Sequence, residues 1–223
     1  MNSLYFITGT DTGAGKTVLT MLLAAHLRQK KLRVAALKPI CSGGRGDARN
    51  IFAALDRTLK LDEINPWFFR AAIAPALAAR REKKSVTARE AIRHVRAVQN
   101  QFAITLVEGA GGLMSPLGKN FDSRDLIIEL QANPIIVAQN RLGAVNHLLL
   151  TLEALPKKLR AQAKIVLMSP PKADAASRSN ATLLGQFFPP AQIFPLPWLG
   201  KKFTPGAVLQ SPSLQRTLGE ILR

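Results

Sequence analysis

At 223 residues the chain has room for one domain that buries about 70–75% of its extended-chain surface, and too little for two full α/β domains. It is 47% hydrophobic, yet no apolar run approaches the roughly 20 residues that a bilayer span needs, so a packed globular protein without a membrane partner is expected. Thirty-one Lys and Arg against 14 Asp and Glu give a net charge of +17, but the cations are scattered and aromatics make up only 6%, which argues for a solvated basic surface and against specific nucleic-acid binding.

A single cysteine, Cys41, excludes an intrachain disulfide and a cysteine-based metal site, and reads as a small apolar filler. The chain enters a strand-like run directly, with no secretory leader pattern, so the expected location is the cytoplasm.

Residues 4–7 are apolar and β-prone and predict a buried strand, and residues 18–27 predict a helix. Between them stands Gly9-Thr10-Asp11-Thr12-Gly13-Ala14-Gly15-Lys16-Thr17. A glycine-rich turn from strand to helix is the setting of a phosphate loop, whose backbone N–H groups and helix dipole wrap a polyphosphate. Gly15 lets the main chain approach closely, Lys16 brings charge to the β- and γ-phosphates, and the Thr17 hydroxyl can ligate Mg²⁺. Binding of a nucleoside triphosphate is expected.

Residues 33–37 predict a second strand ending at Lys38-Pro39. Residues 41–46 are turn-rich, and Asp47 stands where an N-cap would, ahead of a helix at 48–55. Lys38, Ser42 and Asp47 thus fall near a strand's carboxyl end, where open α/β sheets bind ligands. Residues 56–86 show no clear pattern beyond a short helix at 76–81, because Pro66 and Pro75 interrupt them. Residues 87–100 form an amphipathic pattern with Arg89, Arg93 and Arg96 on the outer face.

The apolar run 103–107 predicts a central parallel strand that delivers Glu108 to the loop Gly109-Ala110-Gly111-Gly112. A carboxylate there can complete the Mg²⁺ site begun by Thr17. Helices are expected at 122–130, from Gly143 to 155, at 179–187 and at 214–222, with strands at 134–138, 164–168 and 193–194. This alternation predicts an α/β fold of one domain over residues 1–223, a mostly parallel sheet with helices on both faces, like that of phosphate-loop nucleoside triphosphatases.

Three blocks in order, Gly9 through Thr17, Lys38-Pro39-Ile40-Cys41-Ser42-Gly43 and Glu108-Gly109-Ala110-Gly111-Gly112-Leu113, resemble dethiobiotin synthetase. Further echoes lie at Ala74-Pro75, Ala78-Ala79, Gly143 to Asn146-His147 and Leu196-Pro197-Trp198-Leu199, so the resemblance runs nearly end to end. It implies an ATP- and Mg²⁺-dependent ligase of biotin biosynthesis that takes 7,8-diaminopelargonate and CO2. A carbamate forms on one amine, ATP phosphorylates it, and the second amine displaces phosphate to close a cyclic urea. Such chemistry needs positioned charge more than a protein nucleophile, and no Ser-His-Asp or Cys-His arrangement is evident in the chain.

By matching position, the resemblance assigns catalytic roles to Lys16, Lys38 and Thr12, and Mg²⁺ ligation to Thr17, Asp47 and Glu108. Nucleotide contacts fall to Gly13, Ala14, Gly15, Lys16 and Thr17, and to Pro197 and Trp198. Ser42 and the loop Gly109, Ala110, Gly111 and Gly112 face the diamine, while Gly143 and Asn146 meet its carboxylate tail across a homodimer interface. Ala76 stands in place of a usual histidine and Ala14 in place of a common valine. Met168-Ser169 stands where an asparagine reads the purine edge, which implies a relaxed choice of nucleotide unless backbone groups around Pro197 to Leu199 read the base.

ParA- or MinD-like switches share this architecture, but they carry a lysine five residues before the loop lysine, where Asp11 stands here. Amidotransferase-linked ligases of corrinoid precursors also share it, but need a glutaminase domain for which the chain has no room.

Overall fold

The computed structural model describes residues 2–200 and 203–223; Lys201 and Lys202, part of the scattered basic charge, lie outside the described residues. In chain order the elements are β1 (Ser3–Gly9), α1 (Lys16–Gln29), β2 (Val34–Leu37), β3 (Ile40–Ser42), α2 (Gly46–Ala54), α3 (Leu61–Ile64), β4 (Trp67–Phe69), α4 (Pro75–Arg81) and α5 (Ala88–Gln99). There follow β5 (Ile104–Glu108), α6 (Ser123–Leu130), β6 (Asn133–Gln139), α7 (Ala144–Glu153), α8 (Lys157–Gln162), β7 (Lys164–Met168), α9 (Ala175–Leu184), β8 (Ile193–Leu196), α10 (Pro205–Val208) and α11 (Pro212–Ile221).

The main sheet has six strands in the order β2-β5-β1-β6-β7-β8, and every pairing in it is parallel. Parallel strands covered on both faces carry continuous apolar runs. Phe6 and Ile7, Leu106 and Val107, residues 135–137 and residues 165–167 are accordingly almost without exposure. Helix α1 packs with α2, α10 and α11, α5 packs with α6, and α7 packs with α8 and α9.

Strand order is what gathers the site. Pairing puts Leu37 beside Val107 and Ile7 beside Glu108, so the C-terminal ends of β2, β5 and β1 lie side by side. Lys38, Glu108 and the loop after Gly9 therefore leave the sheet at one edge, although they are far apart in sequence.

The stretch without a clear sequence pattern, 56–86, contains α3 and β4, and β4 pairs with β3 in a second, two-stranded parallel sheet. The expected loop at 41–46 thus begins with a strand. Its small size explains why no periodicity marked it, since three residues cannot show alternation. Asp47 is not the N-cap of α2: Arg45 takes that position, and Asp47 sits in the first turn, where a carboxylate still complements the helix dipole. Helix α9 starts at Ala175, four residues before the expected Ser179, because Asp174 caps it by accepting from Ser177 N at 2.7 Å. In α5 the pattern holds: Ala91, Val95 and Val98 are buried, Arg89 and Arg93 are exposed, and Arg96 donates to the Glu129 carbonyl at 3.2 Å. No helix among the described residues is long and apolar enough to cross a membrane.

Candidate functional site

The loop between β1 and α1 turns on Gly15, whose φ of +101° lies in the left-handed region that favours glycine. A Cβ there would stand 2.8 Å from Met168 Cγ, so β7 packs directly on the loop and leaves no space for a side chain. Lys16 is 6% exposed, and its Nζ donates to the Asp11 carbonyl at 2.9 Å, folding the side chain back over its own loop. Burial and the neighbouring Lys38 ammonium lower the Lys16 pKa from 10.5 to about 8.

Beside the loop is a charged cluster. Lys38 Nζ lies 2.6 Å from Glu108 Oε1 and 2.7 Å from Asp47 Oδ2. The Thr17 hydroxyl donates to the same Glu108 Oε1 at 2.7 Å. Glu108 is 1% exposed, and its Oε2 is buried without a hydrogen-bond partner. Burial alone would depress the Lys38 pKa, but Glu108 and Asp47 outweigh it and hold the ammonium above the ordinary lysine value. Burial likewise raises Asp47, yet Lys38 and the Thr17 hydroxyl bring it below the usual carboxylate range. Removing one member of such a buried pair leaves an uncompensated charge, at about 3–5 kcal/mol.

Thr12, Gly13, Gly15, Lys16, Thr17, Lys38, Ser42, Asp47, Glu108, Ala110 and Gly111 line one cleft of about 680 Å³. A larger hollow of about 930 Å³, between the segments Ala76 to Val86 and Met114 to Asp125, contains no phosphate-loop residue, so volume alone does not mark the site. Gly109 and Gly112 stand in the loop behind the cleft. Ala14 is buried, with its methyl against Gly9, and does not line the cleft. Gly143 and Asn146 are exposed beyond β6 and also lie outside the cleft. Pro197 and Trp198 are exposed and are not brought to the loop; it is Leu199, with Phe203, that meets Val18 and Met21 of α1 in a hollow of about 920 Å³ next to Thr17.

Several supporting residues escaped the sequence reading. Asn65, fully buried, donates to the Lys38 carbonyl at 2.7 Å, and Lys38 N donates to the Ile64 carbonyl at 2.9 Å. Arg45 donates to the Asn65 carbonyl at 2.8 Å and to Asn65 Oδ1 at 3.2 Å. These bonds fix the backbone that presents Lys38, and the Asn65-Pro66 turn dipeptide was the one available cue. Cys41 is buried as a small filler, though its thiol also lies 3.0 Å from the Gly44 carbonyl and 3.3 Å from Asn65 Oδ1; burial raises its pKa. Ser115 Oγ accepts from Gly112 N at 2.8 Å, and a Cβ on Gly111, at φ +71°, would stand 2.3 Å from it, so this hydroxyl pins the glycine loop.

For Mg²⁺, the donors fit. Thr17, Asp47 and Glu108 offer hard oxygens, and Glu108 Oε2 is a buried acceptor without a donor. Among the described residues no group of three or more His, Cys, Asp and Glu could by itself hold a metal ion.

Residues 3–201 match the family described as AAA domain. The ATP-dependent dethiobiotin synthetase BioD of Anaeromyxobacter dehalogenans is 37% identical over 198 residues, 86% of this chain and 89% of the relative. The protein of the same name from Bacillus subtilis is 37% identical over 154 residues, 67% of each chain. The chain belongs to the ATP-dependent dethiobiotin synthetase family. Among solved structures, pNOB8 ParA bound to nonspecific DNA is similar with a TM-score of 0.61 at 13% identity, covering 100% of this chain and 98% of that one. A ParA family ATPase from Chlorobium tepidum gives 0.54 at 14% identity, covering 99% and 91%. These two likenesses are of fold alone. Membership of the dethiobiotin synthetase family rests on the sequence relatives.

Proposed function

We propose that the protein is an ATP-dependent dethiobiotin synthetase, closing a cyclic urea on 7,8-diaminopelargonate with CO2 through a phosphorylated carbamate. The observation that carries this is the convergence of Lys16, Thr17, Lys38, Asp47 and Glu108 on one cleft in a chain of this family. Lys16 and Lys38 place two ammonium groups where charge grows as the phosphoryl group moves, which is the kind of preorganised electrostatics that lowers such barriers. Thr12, on the same cleft, adds a hydroxyl beside the loop. Ser42, Ala110 and Gly111 line the same cleft and receive the diamine, with Gly109 and Gly112 in the same glycine loop.

Thr17, Asp47 and Glu108 would hold Mg²⁺, which when bound neutralises phosphate charge. The triphosphate follows Gly13, Ala14 and Gly15 through their backbone, and the base lies between Met168-Ser169 at the end of β7 and the stretch Pro197 to Leu199, which Ser169 N joins by donating to the Leu196 carbonyl at 2.9 Å. The working unit is a cytoplasmic homodimer in which Gly143 and Asn146 of one copy meet the substrate tail held by the other. Leu142, just before α7, and Leu150, on it, support this, being 83% and 64% exposed. The test is direct: purified protein with diaminopelargonate, bicarbonate, Mg²⁺ and ATP yields dethiobiotin and phosphate, and omission of the diamine abolishes phosphate release.

A further inference from the structure

We infer that Lys38 and the divalent cation are rivals for the same two carboxylates, so that the metal binds tightly only together with the nucleotide. This rests on the proposed assignment of Thr17, Asp47 and Glu108 as the metal's ligands. An ammonium has three N–H donors. Two of Lys38's go to Glu108 Oε1 at 2.6 Å and Asp47 Oδ2 at 2.7 Å, and the third points near the Gly109 carbonyl at 3.5 Å. Lys38 therefore already supplies these carboxylates with their cation.

Glu108 Oε2 has no donor, but a dication on it would share one buried carboxylate with the Lys38 ammonium, where like charges are poorly screened and repel. The metal therefore gains most where Lys38 moves away. The Lys38 backbone cannot do so, because Asn65 Nδ2 and the Ile64 carbonyl hold it on both sides. Its side chain can, since it lines a cleft shared with Lys16, Thr12 and Ser42.

Free Mg²⁺ gains too little from this exchange: it sheds waters, finds two carboxylates and a hydroxyl, and strands a buried ammonium. A triphosphate changes the balance, because it adds anionic oxygens for the metal and a new anionic partner for Lys38. Lys38 is thus released into the cleft at the moment the metal nucleotide is in place. The lysine that serves the reacting group becomes available only when the phosphoryl donor is present.

Mn²⁺ titration followed by electron paramagnetic resonance tests the rivalry, on wild type and Lys38→Met, with and without a nonhydrolysable ATP analogue. Without nucleotide, Lys38→Met should bind Mn²⁺ about tenfold tighter than wild type or better, the scale of one charged hydrogen bond removed from the competition. With the analogue the gap should narrow. Equal affinities without nucleotide overturn the rivalry while leaving the ligand assignment intact. Failure of wild type to bind Mn²⁺ even with the analogue overturns both.

A second measurement needs no variant. In wild-type protein labelled with ¹⁵N-lysine, the Lys38 ammonium resonance should shift on adding Mg²⁺ with the analogue and stay in place with Mg²⁺ alone. A resonance that moves equally with Mg²⁺ alone, or not at all with the complex, overturns the inference.

Discussion

On the β2–β5 flank of the phosphate loop the polar side chains converge: Lys38, Asp47, Glu108 and the Thr17 hydroxyl form one bonded cluster whose atoms face the cleft. On the β6–β7 flank the side chains against the loop are Met168, packed on Gly15, and Gln139, which donates to the Gly13 carbonyl at 2.9 Å. The asparagines there are turned to structure: Asn140 donates to the Ser177 carbonyl at 2.9 Å, and Asn180 donates to Asn140 Oδ1 at 2.9 Å and to the Arg141 carbonyl at 3.0 Å. One flank is organised to stabilise charge and the other to fill space. In the proposed function, rate depends on the first, while choice of base depends on a second that offers mostly dispersion.

The comparison breaks most visibly at the two lysines. Lys16→Ala or Lys38→Ala should lower kcat by about 10²-fold or more, the scale of removing one preorganised electrostatic donor. Near wild-type turnover in Lys16→Ala would show that the charged flank is not where the reaction happens.

Next come the carboxylates. Asp47→Asn and Glu108→Gln should raise the Mg²⁺ concentration for half-maximal activity by about ten- to a hundredfold, the range of one charge-assisted contact. A Mg²⁺ titration unchanged in both variants returns them to a purely structural partnership with Lys38.

The space-filling flank predicts weak discrimination. With Met168-Ser169 offering at most one hydroxyl donor, GTP and CTP should support turnover within about tenfold of ATP, the worth of a single net hydrogen bond. A ratio of kcat/KM above about a hundredfold in favour of ATP, some 2.7 kcal/mol, would reveal a base-reading contact on this flank.

A smaller effect sharpens the picture through pH. Lys16 titrates at about 8 in the nucleotide-free protein, and only its charged form attracts phosphate, so affinity for ATP should fall as pH rises through that value. Between pH 8 and 9 the loss should be about fivefold, with a proton taken up on binding. Isothermal calorimetry in buffers of different ionisation enthalpy measures that uptake; none at pH 8.5 would mean that Lys16 stays fully charged. The sign for stability is the reverse. A lysine with a lowered folded pKa destabilises the nucleotide-free fold below about 8, and the penalty lifts as pH rises from there towards the ordinary value of 10.5.

How much was legible follows from the range of the forces involved. The phosphate loop, the buried strands and the lysine and glutamate at strand ends were visible because each is a local signal: glycines where a turn is forced, unbroken apolar runs where both faces are covered, a charge where the run stops. Family resemblance then supplied roles for residues whose neighbours the sequence does not name. The features that stayed hidden depend on partners outside the local window. Leu199 and Phe203 come beside α1 without any local pattern to mark them, while Pro197 and Trp198 are exposed. Strands β3 and β4 are three residues each, too short to show alternation, and are defined by their pairing of Ile40 with Trp67 through Ser42 with Phe69.

The sequence by itself determined that a triphosphate-binding turn opens an α/β chain with cationic and acidic residues at the ends of its second and central strands. Only the tertiary structure decided that these residues touch. The parallel order β2-β5-β1 brings Lys38 and Glu108, 70 residues apart, to 2.6 Å, and Asn65 and Arg45 lock the backbone that makes the contact possible. The physical reason is that apolar patterning is encoded along the chain, whereas a buried charge finds its counter-ion only after the sheet has chosen its neighbours, when leaving water must be compensated by geometry.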